Sequence, residues 1–391
     1  MFSEAKQEMQ QELQTNILPF WIDNMQDVEN GGFYGQMTGD GTVVKEADKG
    51  GILNARILWT FAAAYRVLKQ YEYKEMATRA FDYIKQHFWD YEHGGTYWSV
   101  DCQGRPKDTK KQFYAQGFTL YGLSEYARAT GSREALVMAQ QLFRLIEQHA
   151  WDGQYGGYIE ALSRDWQPLD DVRLSDKDLN YPKSQNTHLH ILEPYTNLFR
   201  VWPHPQVEYA LRRVLDMFQQ HIINRQTGHL DQFFGDDWTP MPAHWASYGH
   251  DIECSWLMHE AVLSLGHRLL IEQLTPDIRT LAQASAEGLQ PDGSMIHEKT
   301  DSLDTDRHWW VQAEAVVGFA NLYQHFGDTE AAQRALRLWY YIKQHLIDHS
   351  LGEWYWSCDA QGQPNLQADH AGFWKCPYHN SRMCLEIIER F

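Results

Sequence analysis

Apolar residues recur along the chain at the three- and four-residue spacing of amphipathic helices, interrupted by short segments that combine glycine with aromatic residues. In the stretch 51–69, for example, Ile57, Thr60, Phe61 and Tyr65 fall on one helical face. The pattern predicts twelve helices, near residues 3–24, 50–69, 72–88, 110–130, 132–149, 184–201, 205–222, 247–270, 274–289, 306–326, 329–347 and 376–390.

The chain also repeats itself. Residues 83–106 (YIKQHFWDYEHGGTYWSVDCQGRP) and 341–364 (YIKQHLIDHSLGEWYWSCDAQGQP) match at a constant offset of 258, which is 341 minus 83. Weaker copies of the Gly-aromatic element bring the number to six, and each interval between them can hold two helices and a hairpin. The six elements start at Gly31, Gly94, Gly156, Gly228, Gly293 and Gly352. Six antiparallel helix pairs predict an all-α fold, an (α/α)6 barrel with short β-hairpins at one mouth.

Composition favours a single domain over residues 1–391, since no linker, charge block or low-complexity run divides the chain. The formal net charge of -18 disfavours binding to nucleic acid or to an anionic membrane. No apolar run reaches the roughly 18 residues of a membrane span, and the N-terminal segment lacks the apolar core of a signal peptide. We therefore expect a cytoplasmic protein. Its five widely spaced cysteines, without a CxxC pair, indicate reduced thiols and no zinc site.

Aromatic and polar residues suggest where the chemistry lies. Aromatic side chains make up 14% of the chain and could stack on sugar rings, although most would also fill a barrel core. Polar residues recur in the first turn of the helix that follows each Gly-aromatic element, a costly arrangement unless they face a cavity. These residues are Asn54 and Arg56, Tyr114 and Gln116, Asn186 and His188, His250 and Glu253, His308 to Trp310, and Trp374 to Asn380. The sequence thus predicts a central polar cavity at one mouth.

Five strings resemble signature segments of the N-acylglucosamine 2-epimerase family: NARILWTF, KSQNTHLHILE, SYGHDIECSWL, DRHWWVQAEAVVGF and WKCPYHNSRMCLE. The resemblance spans essentially the whole chain and is greatest to the branch that acts on cellobiose. It implies an (α/α)6 barrel without cofactor or metal, more often a monomer than a dimer. The implied reaction is reversible epimerisation at C2 of the reducing-end glucose in β-1,4-linked disaccharides such as cellobiose, mannobiose or lactose.

Epimerisation at C2 opens the sugar ring, removes the proton next to the aldehyde and returns a proton to the opposite face, so it needs two acid-base groups. Histidine suits both tasks because its ordinary pKa is about 6.5. The resemblance assigns these roles to His250 and His379. Glu253, three residues after His250 on the same helical face, is expected to orient that imidazole or raise its basicity. Arg56 would stabilise the enediolate, unless a salt bridge to Glu253 or Glu314 engages it.

The resemblance assigns further residues to substrate binding. His188, Tyr114 and Asn186 would lie beside the sugar, with hydrogen bonds from His188 and Tyr114. His188 and His190 are two residues apart, so only one can face inward, and the resemblance favours His188.

Tryptophans are the expected stacking surfaces for the two sugar units. Trp309, Trp310 and Trp374 resemble the stacking rings of the family. Trp309 and Trp310 are adjacent, and adjacent helical residues point about 100° apart, so the choice between them stays open. Glu298 could contact the distal sugar.

Three other functions remain possible from sequence. An aldose-ketose isomerase would use the same enediolate. A glycoside hydrolase on this barrel would need paired carboxylates, for which Asp251, Glu253, Asp306 and Glu314 are candidates. A sugar-binding protein would keep the tryptophans but would need no acid-base pair. The strongest motifs are rich in histidine and arginine, which favours the epimerase.

Overall fold

The computed structural model describes residues 1–243 and 245–391, and in these residues the chain forms the twelve predicted helices. Their bounds are α1 (3–24), α2 (Gly51–Leu68), α3 (71–88), α4 (Phe113–Thr130), α5 (Arg133–His149), α6 (Gln185–Val201), α7 (205–222), α8 (Tyr248–Leu265), α9 (Arg268–Ser285), α10 (Trp309–Phe326), α11 (329–346) and α12 (Tyr378–Arg390). Helices α1, α3, α7 and α11 each include a five-residue π-helical turn. None of the described helices is both long and apolar enough to cross a membrane.

The main difference from the prediction is the break between α8 and α9, because the apolar pattern predicts this break at 270–274. Helix α8 instead ends at Leu265, and the next residue, Gly266, has a φ of 69°, the left-handed conformation that commonly terminates helices. Arg268 begins α9, so the apolar residues Leu269 and Leu270 belong to the new helix rather than extending the old one. Periodicity alone did not separate them, because the apolar pattern continues across the glycine.

The even-numbered helices form an inner ring and the odd-numbered helices an outer layer. Each inner helix packs on the next, and α12 packs on both α2 and α1, so the ring closes. Phe2 and Phe391 stack at a ring-centroid distance of 4.4 Å and bring the two ends of the chain together. Residues 51–64 of α2 are buried on every face, whereas α5 buries only one stripe, as expected for inner and outer positions. The predicted (α/α)6 barrel is confirmed.

Short antiparallel strands connect consecutive repeats at one mouth of the barrel. They are β1 (Lys49–Gly50), β2 (Ser99–Val100), β3 (Pro106–Asp108), β4 (Lys111–Gln112), β5 (Ala161–Leu162), β6 (Lys183–Ser184), β7 (Phe233–Phe234), β8 (Ala246–Ser247), β9 (Glu298–Lys299), β10 (Leu303–Asp304), β11 (Arg307–His308) and β12 (Ser357–Cys358). Two three-stranded sheets have the strand orders β1-β2-β3 and β10-β9-β8, and three two-stranded sheets pair β4 with β5, β6 with β7 and β11 with β12. Most inner helices begin directly after one of these strands, so their N-termini open at the same mouth.

The sequence repeat corresponds to a repeated structure. In both strong copies a glycine with positive φ closes the hairpin, Gly94 at 78° and Gly352 at 88°. The amide of each donates to the carbonyl four residues earlier, at 2.8 Å and 3.1 Å. The copies also share the stacking of a tyrosine on the histidine four residues later, with ring centroids 4.4 Å apart in one and 4.5 Å in the other.

Buried ion pairs fix these hairpins to the start of the inner helices. Asp90 accepts from Lys111 Nζ at 2.9 Å, and both side chains are fully buried. Arg164 Nε donates to the same carboxylate at 2.9 Å. Burial opposes ionisation of Asp90, but the hydrogen bonds from Arg164 and Lys111 outweigh it and hold the pKa of Asp90 well below its ordinary value.

We expect Asp90→Asn to destabilise the protein at pH 7 by about 3 kcal/mol or more, because it leaves Lys111 buried without a counter-charge. A carboxyl with a depressed pKa contributes stability above its unfolded pKa of about 3.9, and this contribution is lost as the pH falls through its folded value. Urea unfolding between pH 7 and pH 3 should therefore show wild type and variant converging below about pH 4. The control, Asp171→Asn, removes an exposed pair with Arg173 and should cost under about 1 kcal/mol. If the free energies of unfolding of wild type and Asp90→Asn differed by the same amount at every pH, this account would be wrong.

Candidate active site

A cavity of 550 Å³ opens at the mouth where the inner helices begin. This volume lies within the usual range of small-ligand sites, roughly 300–1,000 Å³. The site residues predicted from sequence that line it are Arg56, Tyr114, Asn186, His250, Glu253, Trp309, Trp310, Trp374 and His379. They come from all six inner helices or the loops leading to them, so barrel closure brings together groups that are far apart in the chain.

Arg56 places a positive charge in the cavity without a carboxylate partner among the described residues. Its guanidinium donates to the Tyr114 hydroxyl at 2.9 Å and to Cys376 Sγ at 3.9 Å, and lies 4.1 Å from the centre of the Phe118 ring. The salt bridge to Glu253 or Glu314 considered from sequence is therefore not formed. Burial raises the pKa of Tyr114 to about 12, although the positive charge of Arg56 acts to lower it. The hydroxyl therefore keeps its proton and can donate a hydrogen bond to a ligand.

His250 is held by the residue that precedes its helix. Its Nδ1 lies 2.8 Å from Ser247 Oγ, and its ring centroid lies 4.8 Å from that of Trp310. Burial, together with the nearby His297, lowers the pKa of His250 to about 3. The imidazole is therefore neutral at physiological pH and can accept a proton.

The predicted pairing of Glu253 with His250 is wrong. Glu253 Oε1 accepts from Arg382 on α12 at 2.6 Å, and its buried Oε2 has no hydrogen-bond partner. Lying on the same helical face does not bring the two side chains together. His250 turns toward Ser247, whereas Glu253 extends across the barrel to Arg382. Burial outweighs the attraction of Arg56 and raises the pKa of Glu253 to about 8.

Of the two histidines predicted as acid-base groups, His379 is the one that a carboxylate orients. Its Nδ1 lies 2.6 Å from Glu314 Oε1, and Trp256 Nε1 donates to Glu314 Oε2 at 3.0 Å. Burial and Arg56 lower the pKa of His379, while burial and Glu253 raise the pKa of Glu314. The pair therefore holds one proton between the carboxylate and Nδ1, which leaves His379 Nε2 free for a ligand.

The choice of His188 over His190 is also wrong. His188 Nε2 accepts the amide hydrogen of Tyr158 at 2.9 Å and its Nδ1 lies 2.7 Å from the Ser184 carbonyl, so both ring nitrogens serve the hairpin and the ring does not line the cavity. His190 does line it. Its Nδ1 lies 3.0 Å from Glu193 Oε2, and its ring centroid lies 4.8 Å from that of Tyr114.

The structure places both candidate tryptophans at the cavity, and their stacking role stays a prediction. Trp309 and Trp310 each line the cavity, Trp310 against His250 and Trp309 against Trp356 at 4.9 Å between ring centroids. Asn186 Oδ1 is buried without a partner at the cavity wall, so it can accept a hydrogen bond from a ligand.

The principal group missed by sequence reasoning lies beneath the cavity. Arg382 is fully buried and donates to Glu253 and Glu314, each at 2.6 Å, and also to Glu193 and the Tyr378 hydroxyl. One guanidinium thus joins the carboxylates that contact His190 and His379. A signal was present: arginine within α12 and glutamates within otherwise apolar inner helices are costly unless they are paired.

Comparisons with known proteins identify the family of the chain. The family model for N-acylglucosamine 2-epimerase (GlcNAc 2-epimerase) matches residues 32–381. The chain belongs to this family. Within it, the chain is 54% identical to a cellobiose 2-epimerase of Bacteroides fragilis over 98% of both chains, and 40% identical to one of Ruminococcus albus, also over 98% of both.

Two solved structures superpose closely on this chain. The cellobiose 2-epimerase of Bacillus thermoamylovorans B4167 gives a TM-score of 0.95 at 41% identity, covering 99% of this chain and 100% of its own. A D-mannose isomerase gives 0.86 at 22% identity over 100% and 99% of the two chains, a level that shows a common fold alone.

Proposed function

We propose that this protein is a carbohydrate 2-epimerase that interconverts glucose and mannose at the reducing end of cellobiose. The sequence identity to cellobiose 2-epimerases supports the reaction. The observation that carries it for this chain is that two neutral histidines line the same cavity and lie beside the same indole. The Trp310 ring centroid lies 4.8 Å from that of His250 and 5.8 Å from that of His379. Such a pair can address opposite faces of one carbon held between them.

In the proposed mechanism His379 assists ring opening at O5 and the open-chain aldehyde then loses its C2 proton to one histidine. The electrons of the C2–H bond form the C1–C2 double bond of the enediolate, and negative charge develops on O1. Arg56 stabilises that charge without competing for the proton, and the Tyr114 hydroxyl donates to the same oxygens. His250 exchanges the C2 proton on one face and His379 on the other, after which the ring closes.

The Glu314–His379 pair supplies the proton balance for this scheme. When His379 Nε2 gives up a proton, the proton shared between Nδ1 and Glu314 can move onto Nδ1 and keep the imidazole neutral. When Nε2 accepts one, the charge of Glu314 compensates the imidazolium. His250, with only the Ser247 hydroxyl at Nδ1, lacks this compensation.

Binding of the disaccharide would use the aromatic walls of the cavity. Trp309, Trp310 and Trp374 offer faces for the apolar surfaces of the two sugar rings, and Asn186, His190 and Glu298 offer hydrogen-bond partners at the rim. His190 takes the role that sequence assigned to His188.

We further propose that residues 1–391 act as one catalytic domain, as a cytoplasmic monomer without a required cofactor, and that mannobiose and lactose are also substrates.

Product analysis tests the function directly. Incubation with cellobiose followed by sugar chromatography should yield glucosyl-mannose, and a small amount of glucosyl-fructose is chemically compatible because the same enediolate can be protonated at C1. Protein carrying His379→Ala, purified identically, controls for contaminating enzymes. Fructosyl product without mannosyl product would instead establish an aldose-ketose isomerase, and release of glucose a glycoside hydrolase. Unchanged cellobiose that still binds, as measured by calorimetry, would indicate a sugar-binding protein.

A further inference from the structure

A second cluster of chemically active side chains lies at the rim of the cavity, outside the proposed acid-base pair. It consists of His297, Asp304 and His308, which we call the rim cluster. All three side chains are half-buried, and His297 and His308 line the cavity. The strands β9, β10 and β11 bring the residues together, since β9 and β10 form a hairpin and β11 follows directly.

The rim cluster has the ligand types and the spacing of a transition-metal site. His297 Nδ1 lies 2.9 Å from Asp304 Oδ2, and His308 Nε2 lies 4.0 Å from the same oxygen, too far for a hydrogen bond. Zinc bonds to histidine nitrogen and carboxylate oxygen are about 2.0–2.1 Å, so tetrahedral ligands lie about 3.3 Å apart. The two observed distances bracket this value, and small side-chain rotations would equalise them.

The two imidazoles are already arranged side by side. Their rings stack with centroids 3.9 Å apart and planes within 4°. Two protonated imidazoles would repel in this position, so the stack favours neutral rings, which is the form that binds metals. Because an imidazole lone pair lies in the ring plane, metal binding would turn the two planes out of parallel so that His297 Nδ1 and His308 Nε2 point at the same ion. Glu298 Oε1 lies 3.9 Å from His297 Nδ1 and could complete a fourth position.

We propose that His297, Asp304 and His308 form a binding site for a zinc-class divalent ion at the mouth of the cavity. The ion would fix the β9–β10 hairpin to the start of α10 and add positive charge beside the sugar entrance. It has no part in the C2 chemistry, so the proposal does not depend on the proposed function. Two other groups of histidine and glutamate lie deeper, His190 with Glu193 and Glu253, and His379 with Glu253 and Glu314. There the Arg382 guanidinium already engages the carboxylates and repels a cation.

Titration of Zn²⁺ into the full-length, chelator-treated protein by calorimetry tests the site. We expect one ion per chain in wild type. Loss of a second-shell partner commonly weakens a metal site by about 10–100-fold, so removing the direct ligand in Asp304→Ala should weaken affinity by at least about 100-fold. The matched control is Asp301→Ala, an exposed aspartate of the same hairpin outside the cluster, which should bind as wild type does.

A second variant guards against local misfolding. His297→Gln should lose zinc in the same way, whereas the exposed His349→Gln should not. Absence of Zn²⁺ binding in wild type would overturn the proposal. Binding that is unchanged in both Asp304→Ala and His297→Gln would also overturn it, because the ion would then occupy one of the deeper clusters.

Discussion

Replacing either His250 or His379 by alanine should lower kcat for epimerisation of cellobiose by about 1,000-fold or more, within the range attributed to a positioned acid-base group. Both imidazoles line the same cavity, and each has its Nδ1 occupied, by Ser247 Oγ in one case and Glu314 Oε1 in the other. The remaining ring nitrogen is the one available to the sugar. The expected loss is therefore one of chemistry rather than folding.

Isotope exchange in deuterated water separates the two roles. Wild type should replace the C2 hydrogen of cellobiose by deuterium and also form the epimer. Since His379 is assigned to ring opening, His379→Ala should show neither reaction on the ring-closed sugar. Exchange at a near wild-type rate in His379→Ala would contradict the two-base scheme. His349→Ala, which changes an exposed histidine, should retain full activity as the matched control.

The helical architecture was predictable because it depends on local information. Apolar spacing and the glycine turns each depend on neighbouring residues and predict the helices, and the repeat at offset 258 indicates that the helix pairs recur and form a barrel. The α8–α9 break shows the limit. Gly266 ends α8 through its left-handed conformation, but apolar residues on both sides of it continue the helical pattern in the sequence.

The cavity-lining residues were also predictable, through recurrent polar positions and family resemblance, whereas their partners were not. Glu253 was paired with His250 from spacing along one helix, but its contact is Arg382, 129 positions away. His379 is oriented by Glu314, 65 positions away. Such pairings depend on how α8, α10 and α12 pack together inside the barrel. The sequence of any one of these helices does not contain that information.

The exchange of His188 for His190 has a related cause. Both histidines are nearly or fully buried, so burial cannot distinguish them. What decides is the hairpin before α6, where the Tyr158 amide and the Ser184 carbonyl bind the two nitrogens of His188. The contact with Tyr158 joins two consecutive repeats. A sequence motif within one segment therefore cannot predict it.

Arg382→Met should destabilise the protein by at least about 3–5 kcal/mol, the cost of removing one partner from a buried charge cluster. The guanidinium is fully buried and contacts Glu193, Glu253 and Glu314. A methionine of similar length would leave these carboxylates facing one another without a counter-charge. The control is Arg334→Met, which breaks a partly exposed helical pair with Glu330 and should cost under about 1 kcal/mol.

The defect of Arg382→Met should depend on pH in a defined direction. Without the guanidinium the pKa values of Glu253 and Glu314, already raised by burial, rise further above the unfolded value of about 4.3. The folded variant then binds more protons than the unfolded chain, so its stability falls as the pH rises from about 4.3 through the raised pKa values. Wild type follows the same slope up to the pKa of about 8 of its own Glu253, so the two proteins separate above that pH. Thermal unfolding should therefore show a smaller difference from wild type at about pH 7 than at about pH 10, whereas Arg334→Met should show a small difference at both. A deficit of Arg382→Met that is as small as that of the control, or that grows from about pH 10 toward about pH 7, would mean that Arg382 does not balance the buried carboxylates.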